Sequence, residues 1–370
     1  MISNNQQAFL ELVRAGLWEK EAGLSQYGNL DYTEIMRLAQ EQAVVGLVTA
    51  GLEHVKDVEI SQVDLLQFIG QSIQIEQRNK AMNDFIATLI GELRKNDIYA
   101  LLVKGQGLGQ CYERPQWRMC GDIDLFLSGN NLYKAKLYLE KISSYNKPVR
   151  NYSKEFGAFI DPWMVELHGT LRTGLSLNVD SVIDEVQKDV FYAGNVRSWL
   201  DGNTPVFIPG VDNDVFFVFT HFIKHFYKEG GVKLRQICDW CRLLWVFKDK
   251  VNIPLLEKRL TKSGLVNEWQ AFAALAVDCL GMPVEAMPLN SSDKKWRKKE
   301  GKIISILLRG GEWRKVHDTF IVGQVFPFSV LKFASGILLN VNWLKIKECL
   351  LNSSDNDFVL RRTKRTGVGL

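Results

Sequence analysis

The sequence predicts an α+β protein in which a small mixed β-sheet core is flanked by N-terminal and C-terminal helical regions. Apolar residues recur at three- and four-residue steps through residues 1–96. Short apolar runs of strand length follow within residues 97–204, and helical spacing returns over residues 205–370. We therefore expect three regions with these boundaries: an N-terminal helical region, a sheet core and a C-terminal helical domain.

The N-terminal region is expected to pack as helices on the back of the sheet. Apolar positions share helical faces from residue 6 to residue 53, and residues 61–95 follow one long helical pattern. Ser61 is suited to cap the long helix, because a serine side chain accepts a hydrogen bond from the first unpaired amides. Asn96 and Asp97 then end it, directly before the first strand.

Five runs in the core have strand length, and they lie at residues 99–103, 123–127, 149–152, 156–160 and 164–168. Asp161-Pro162 separates the last two runs and predicts a turn between antiparallel strands. Because such a hairpin interrupts a repeated strand–helix–strand order, the sheet should be mixed. We expect short helices in the polar stretch 173–203 and an extended linker at 205–210.

The C-terminal region begins with a phenylalanine-rich helix from about residue 212, followed by helices over residues 234–247 and 253–284. His221 and His225 lie four residues apart and therefore share one helical face. No glutamate lies between them as in the H-E-x-x-H zinc motif, so we expect core or substrate-facing roles. One hypothesis is that these histidines face an active cleft together with Arg235 and Asp239.

Two aspartates open the second strand, in the order Asp122-Ile123-Asp124. Side chains alternate along a strand, so both carboxylates point to the same side of the sheet. Neighbouring carboxylates repel unless a cation lies between them, and hard oxygen ligands suit Mg²⁺. Glu166 and His168 share one face of the last strand by the same alternation. If the two faces coincide, three carboxylates meet.

A glycine-rich connection follows the first strand, and its backbone N–H groups could bind an anion. Together with the aspartates it forms a pattern that resembles the nucleotidyltransferases of the DNA polymerase β superfamily. The resemblance is greatest to a poorly characterised bacterial branch with Lys-Gly where other members have Gly-Ser or Gly-Gly. The residues that carry it are Leu102-Val103-Lys104-Gly105, Arg118, Gly121-Asp122-Ile123-Asp124-Leu125 and Met164-Val165-Glu166-Leu167-His168.

The resemblance implies that residues 97–204 form a nucleotidyltransferase core. Such an enzyme moves a nucleoside monophosphate from a nucleoside triphosphate to an acceptor hydroxyl and releases pyrophosphate, with Mg²⁺ or Mn²⁺ as cofactor. Asp122, Asp124 and Glu166 would be the catalytic, metal-binding residues, and Glu166 would either bind the catalytic ion or act as base. The acceptor could be a small molecule, a protein or an RNA.

The resemblance also implies a nucleotide-binding set, which comprises Lys104, Gly105, Gln106 and Arg118. Gly105 and the amides after it would hold the β- and γ-phosphates, and Lys104 and Arg118 would supply positive charge beside them. Gln106 departs from the family pattern, because it is bulkier than the small residue expected there.

Two other functions fit parts of the pattern. A glycosyltransferase could use Asp-x-Asp with Mn²⁺, but that fold needs several parallel strands ahead of the motif, where this chain reads as helical. A non-catalytic protein could retain the nucleotidyltransferase fold and bind a nucleotide or a partner through its phenylalanine-rich helices and basic tail.

Composition bounds the class further. The net charge of +4 is too small to indicate nucleic-acid binding by itself, and the six cysteines are scattered, which suits a reducing compartment.

We expect no signal peptide, because the N-terminus lacks a basic start and a long apolar stretch. The apolar segment 325–344 is interrupted by Pro327 and Lys332, so we expect a buried or partner-covered helix rather than a membrane span. These features predict a cytoplasmic protein.

Overall fold

The computed structural model describes residues 2–150, 155–201, 204–228, 231–308 and 325–326. The basic tail and almost all of the predicted apolar segment 325–344 lie outside these residues. Among the helices that are described, none combines the length and the apolar content needed to cross a bilayer.

The N-terminal region consists of helices α1 (Asn4–Trp18), α2 (Tyr32–Glu41), α3 (Val45–Leu52) and α4 (Gln62–Lys95). The predicted cap of the long helix is present, since the Ser61 hydroxyl accepts a hydrogen bond from the Asp64 amide at 3.1 Å. Helices α1 and α3 cross in near contact at Gly51. A Cβ atom there would lie 2.0 Å from the Leu12 carbonyl oxygen, so this crossing requires glycine.

The core is a five-stranded mixed sheet. In chain order its elements are β1 (Leu101–Val103), α5 (Gly105–Gly109), β2 (Ile123–Phe126), α6 (Gly129–Ile142), β3 (Tyr145–Arg150), β4 (Glu155–Ile160) and β5 (Trp163–His168). The strand order is β1-β2-β5-β4-β3, with β2 and β5 parallel and the other pairs antiparallel. The predicted mixed sheet and the predicted hairpin of the last two strands are both confirmed.

Alternation along the central strands separates an apolar face from a polar one. Ile123 and Leu125 of β2 are buried in one cluster with Val165 and Leu167 of β5, and apolar residues of α4 and α6 cover them. Asp124 lies between the two β2 residues and therefore points to the opposite side of the sheet. The apolar face thus fixes the direction of the carboxylate.

The stretch 173–203 differs from the prediction of short helices. It forms helix α7 (Leu177–Tyr192) and strand β6 (Val196–Asp201), and the expected linker at 205–210 is largely strand β7 (Thr204–Pro209), which pairs with β6. Ser176 caps α7, and valines such as Val179, Val182 and Val186 bury one face of it. Polar residues between these valines concealed the helical period. Strand β7 extends the core, because Val206 and Ile208 pack in the same cluster as the sheet.

The C-terminal region contains α8 (Val211–Lys228), α9 (Leu234–Val246), α10 (Ile253–Ser263), α11 (Val266–Ala274) and α12 (Lys294–Leu307). Helix α8 is the predicted phenylalanine-rich helix, and its rings form the centre of this region. Phe219 stacks edge-on against Trp269 at 4.8 Å between ring centroids, and Trp269 does the same with Trp240. Such aromatic pairs stabilise the packing beyond the area they bury.

A buried ion pair joins the sheet core to helix α9. The Arg118 guanidinium, just ahead of β2, donates to both carboxylate oxygens of Asp239 at 2.8 and 2.6 Å. The Tyr112 hydroxyl donates to the same carboxylate at 2.8 Å. Both charged side chains are almost fully buried, at 4% and 3% exposure, so each depends on the other for neutralisation.

We expect Asp239→Asn to lower the free energy of unfolding by about 3–5 kcal/mol, because it leaves the Arg118 charge buried without a counterion. Urea denaturation measures this loss. Glu53→Gln is the matched control, since the Arg114–Glu53 pair is also bidentate but lies in solvent, at 41% and 48% exposure. The control variant should lower the free energy of unfolding by less than about 1 kcal/mol. Equal losses in both variants would contradict the assignment.

Candidate active site

A cavity of about 660 Å³ lies between the polar face of the sheet and helices α8 and α9. This volume falls within the range typical of small-molecule sites. The residues that line its sheet side include Lys104, Gly105, Arg118, Asp122, Asp124, Glu155, Glu166 and His168. Those that line its helical side include His221, Lys224, His225, Lys233, Arg235, Gln236 and Asp239.

The parallel pairing of β2 with β5 brings two predicted site residues side by side. In this register Asp124 lies opposite Glu166, and Phe126 lies opposite His168. One ligand atom from each of Asp124, Glu166 and His168 lies within 4.8 Å of the other two. Two carboxylates and an imidazole at this spacing have the chemistry to hold a divalent cation.

Asp122 occupies a different position from its predicted partner. It precedes the first residue of β2, is exposed to solvent and lines the cavity, but it is not one of the three residues whose ligand atoms converge. The structure therefore brings Asp124 together with Glu166 and places Asp122 beside them at the strand end.

The Asp124 carboxylate, at 3% exposure, is compensated by two donors on one oxygen. Lys104 Nζ lies 2.8 Å and His168 Nε2 lies 2.7 Å from Asp124 Oδ1. Burial by itself raises the pKa of Asp124, but the charge of Lys104 and the hydrogen bond from His168 outweigh it and hold the pKa below its usual value. Because an ionised carboxylate only accepts hydrogen bonds, His168 Nε2 carries the proton in this contact.

Lys104 stands at a strained position of the backbone. Its φ of 59° is unusual for a residue with a side chain, and Gly105 follows at 41°. Burial lowers the pKa of Lys104, but the carboxylates of Asp124, Asp122 and Glu166 raise it further than burial lowers it. The ammonium group is therefore charged, and it is held among the acidic residues of the site.

Two residues of the predicted nucleotide-binding set have other partners. The Gln106 side chain is 1% exposed and donates to Asn79 Oδ1 on α4 at 2.8 Å. The same Asn79 donates to the Arg118 carbonyl at 2.8 Å, so it braces the segment ahead of β2. Arg118 reaches the cavity, but its guanidinium binds Asp239. Phosphate contacts by Gln106 and Arg118 stay predictions.

The helical side of the cavity agrees with the hypothesis that His221, His225, Arg235 and Asp239 face a cleft, since all four line it. His225 Nε2 lies 3.0 Å from His221 Nε2. Burial, followed by the positive charges of Lys104, His225 and Lys224, lowers the pKa of His221 well below its usual value. Lys224 was not singled out in the sequence, although it lies one residue before His225 on α8.

The mixed sheet thus pairs carboxylates across two parallel strands, and helices close the cavity beside them. A protein-family profile described as an uncharacterised nucleotidyltransferase matches residues 28–281, more than half of the chain. The chain therefore belongs to this family of nucleotidyltransferases, which confirms the predicted general class. No curated protein and no solved structure matches the chain.

The depressed pKa of Asp124 predicts a pH dependence of stability. A carboxylate with a lower pKa in the folded state stabilises the fold above its unfolded pKa and loses that contribution as pH falls. In the presence of a chelator and at pH values above about 5, we expect the free energy of unfolding of the wild type to exceed that of Asp124→Asn by about 3 kcal/mol. The difference should shrink as the pH falls below about 4.

Urea denaturation from about pH 3 to pH 7 measures this dependence. The control is Glu257→Gln, because Glu257 is an exposed carboxylate on α10 away from the cavity. It should change stability by less than about 0.5 kcal/mol at every pH. A difference for Asp124→Asn that stays constant down to pH 3 would contradict the assignment.

Proposed function

We propose that this nucleotidyltransferase uses Mg²⁺ or Mn²⁺ to transfer a nucleoside monophosphate from a nucleoside triphosphate to an acceptor hydroxyl. The observation that carries the proposal is the parallel register that sets Asp124 beside Glu166 on the wall of a cavity of ligand size. The acceptor is proposed to be the hydroxyl of a small molecule, of a protein side chain or of an RNA end.

The donor atoms fit the proposed ions. Asp124 and Glu166 would hold them, with Asp122 as the third predicted ligand at the end of the same strand. Carboxylate oxygens are the ligands that Mg²⁺ and Mn²⁺ prefer. When bound, such ions neutralise phosphate charge and lower the pKa of an attacking hydroxyl. His168 would orient the Asp124 carboxylate through the hydrogen bond at Oδ1.

The chain's own residues would position the reactants for an in-line displacement. The acceptor oxygen forms a bond to the α-phosphorus, and the bond from that phosphorus to the β-phosphate bridging oxygen breaks, so pyrophosphate leaves. Glu166, when it is not a metal ligand, would accept the proton of the acceptor hydroxyl. Lys104 and Gly105 would lie beside the reacting α-phosphate, since both line the cavity next to Asp124.

A second function, nucleotide or partner binding without catalysis, is favoured by one observation. Lys104 already neutralises Asp124 and His168 donates a hydrogen bond to it, so the buried carboxylate does not need a metal ion for its stability. Such a protein would bind a nucleoside triphosphate without releasing pyrophosphate. Pyrophosphate release therefore separates the two functions.

We expect Asp124→Asn and Glu166→Gln each to reduce metal-dependent pyrophosphate release by about 100-fold or more, the scale seen when one electrostatic group of an active site is removed. The measurement uses each of the four nucleoside triphosphates with Mg²⁺ or Mn²⁺, and calorimetry reports metal-dependent nucleotide affinity in parallel. Circular dichroism checks that both variants fold.

The matched control is again Glu257→Gln, which removes an exposed carboxylate and should leave both readouts unchanged. Asp122→Asn tests the third predicted ligand, and a loss similar to that of Asp124→Asn would support its place in the metal site. Undiminished pyrophosphate release and nucleotide affinity in both Asp124→Asn and Glu166→Gln would reject the proposed site.

A further inference from the structure

The positive side chains on the sheet side of the cavity are bound to buried carboxylates. Lys104 Nζ contacts Asp124 Oδ1, and Arg118 forms two hydrogen bonds with Asp239. If either cation turned toward a substrate phosphate, it would leave an ionised carboxylate without compensation in a buried position. Both cations on this side are therefore held in place by carboxylates of the protein itself.

Packing accounts for glycine at one position of the connection after β1. Helix α5 is buried over its whole length, and a Cβ atom at Gly107 would lie 3.1 Å from Ile208 Cγ2 of β7. At Gly109 the corresponding position is 3.4 Å from the Gln106 side chain, which is an ordinary contact distance. Gly107 thus allows α5 to pack closely against β7, and glycine there does not by itself indicate a phosphate loop.

The opposite side of the cavity carries basic residues on two helices. His221, Lys224 and His225 lie within one and a half turns of α8, and Arg235 lies in the first turn of α9; we call these four residues the basic wall. Arg235 Nη1 donates to the Met119 carbonyl at 2.9 Å, which fixes the guanidinium at the cavity. Its Nε atom is buried and has no hydrogen-bond partner among the described residues.

The electrostatic surroundings of the basic wall favour an anion. Burial, followed by the positive charge of Lys104, lowers the pKa of His221 well below its usual value, so His221 is a neutral hydrogen-bonding group and Lys224 and Arg235 supply the positive charge of the basic wall. The carboxylate that lines the cavity from α9, Asp239, is neutralised by Arg118. Several cations that converge on one concave surface raise the local concentration of an anionic ligand.

We infer that the basic wall binds the polyphosphate chain of the nucleotide, across the cavity from Asp124 and Glu166. The inference rests on the proposed function and deepens it, because it assigns the β- and γ-phosphates to α8 and α9 rather than to the glycine-rich connection. With carboxylates on one wall and cations on the other, the α-phosphate lies between them. The basic wall then also holds the pyrophosphate when the bond to the α-phosphorus breaks.

Inorganic triphosphate in the presence of EDTA tests this subsite without metal and without catalysis. Titration calorimetry compares the wild-type protein with the double variant Lys224→Gln, Arg235→Gln. The matched control, Lys20→Gln with Lys258→Gln, removes two exposed lysines that do not line the cavity. Lys224→Gln alone is measured as well, because it leaves the Arg235 contact with Met119 intact.

We expect Lys224→Gln to weaken binding about tenfold and the double variant to weaken it further, since hydrogen bonds to charged groups have this strength. The control should bind as the wild type does. Asp124→Asn should bind inorganic triphosphate at least as tightly as the wild type, because it removes a negative charge from the cavity. This last result distinguishes the basic wall from the metal site.

Wild-type protein that does not bind inorganic triphosphate, or a double variant that binds it as tightly as the control, would overturn the inference. Either result is separable from the proposed function, which stands as long as metal-dependent pyrophosphate release depends on Asp124 and Glu166. Conversely, triphosphate binding that depends on Lys224 and Arg235 in a protein that releases no pyrophosphate would support the basic wall and reject the transferase.

Discussion

The buried, ionised carboxylate of Asp124 is the constraint on which the site depends. An isolated carboxylate at this depth is costly, and the chain compensates it with Lys104 and His168 on the same oxygen. Lys104 reaches that oxygen from a backbone position with positive φ, a conformation that costs about 1–3 kcal/mol elsewhere. The end of β1, the start of α5 and the end of β5 are therefore linked through one carboxylate.

A second buried ion pair attaches the helices on the opposite side of the cavity to the sheet. The Arg118–Asp239 pair joins the segment ahead of β2 to α9, and Asn79 on the long helix α4 holds the same segment through two carbonyls. The helices that carry the basic residues are thus attached to the strand that carries the aspartates. The two sides of the cavity are thus joined by an ion pair that lies in the cavity wall.

Much of the fold could be predicted, because many of its elements are determined by residues close together in the sequence. The cap at Ser61, the hairpin of the last two core strands and the phenylalanine-rich helix each depend on residues close in sequence. Helix α7 and strand β6 were not predicted in the polar stretch 173–203, since α7 buries only a valine stripe against distant elements. The predicted linker is a strand because it pairs with β6. The sequence did not reveal β6, so it offered no partner for this segment.

By itself the sequence determined which residue types face the same way, since alternation along β2 and β5 follows from strand geometry. That was enough to pair Asp124 with Glu166 as candidates, while the nucleotidyltransferase class was indicated by the resemblance of the surrounding motifs to that family. Only the tertiary structure decided that Gln106 turns to the back, that Arg118 neutralises Asp239, and that α8 and α9 close the cavity. These are contacts between residues far apart in the chain, and the partner of a charge is set by packing in three dimensions rather than by local spacing.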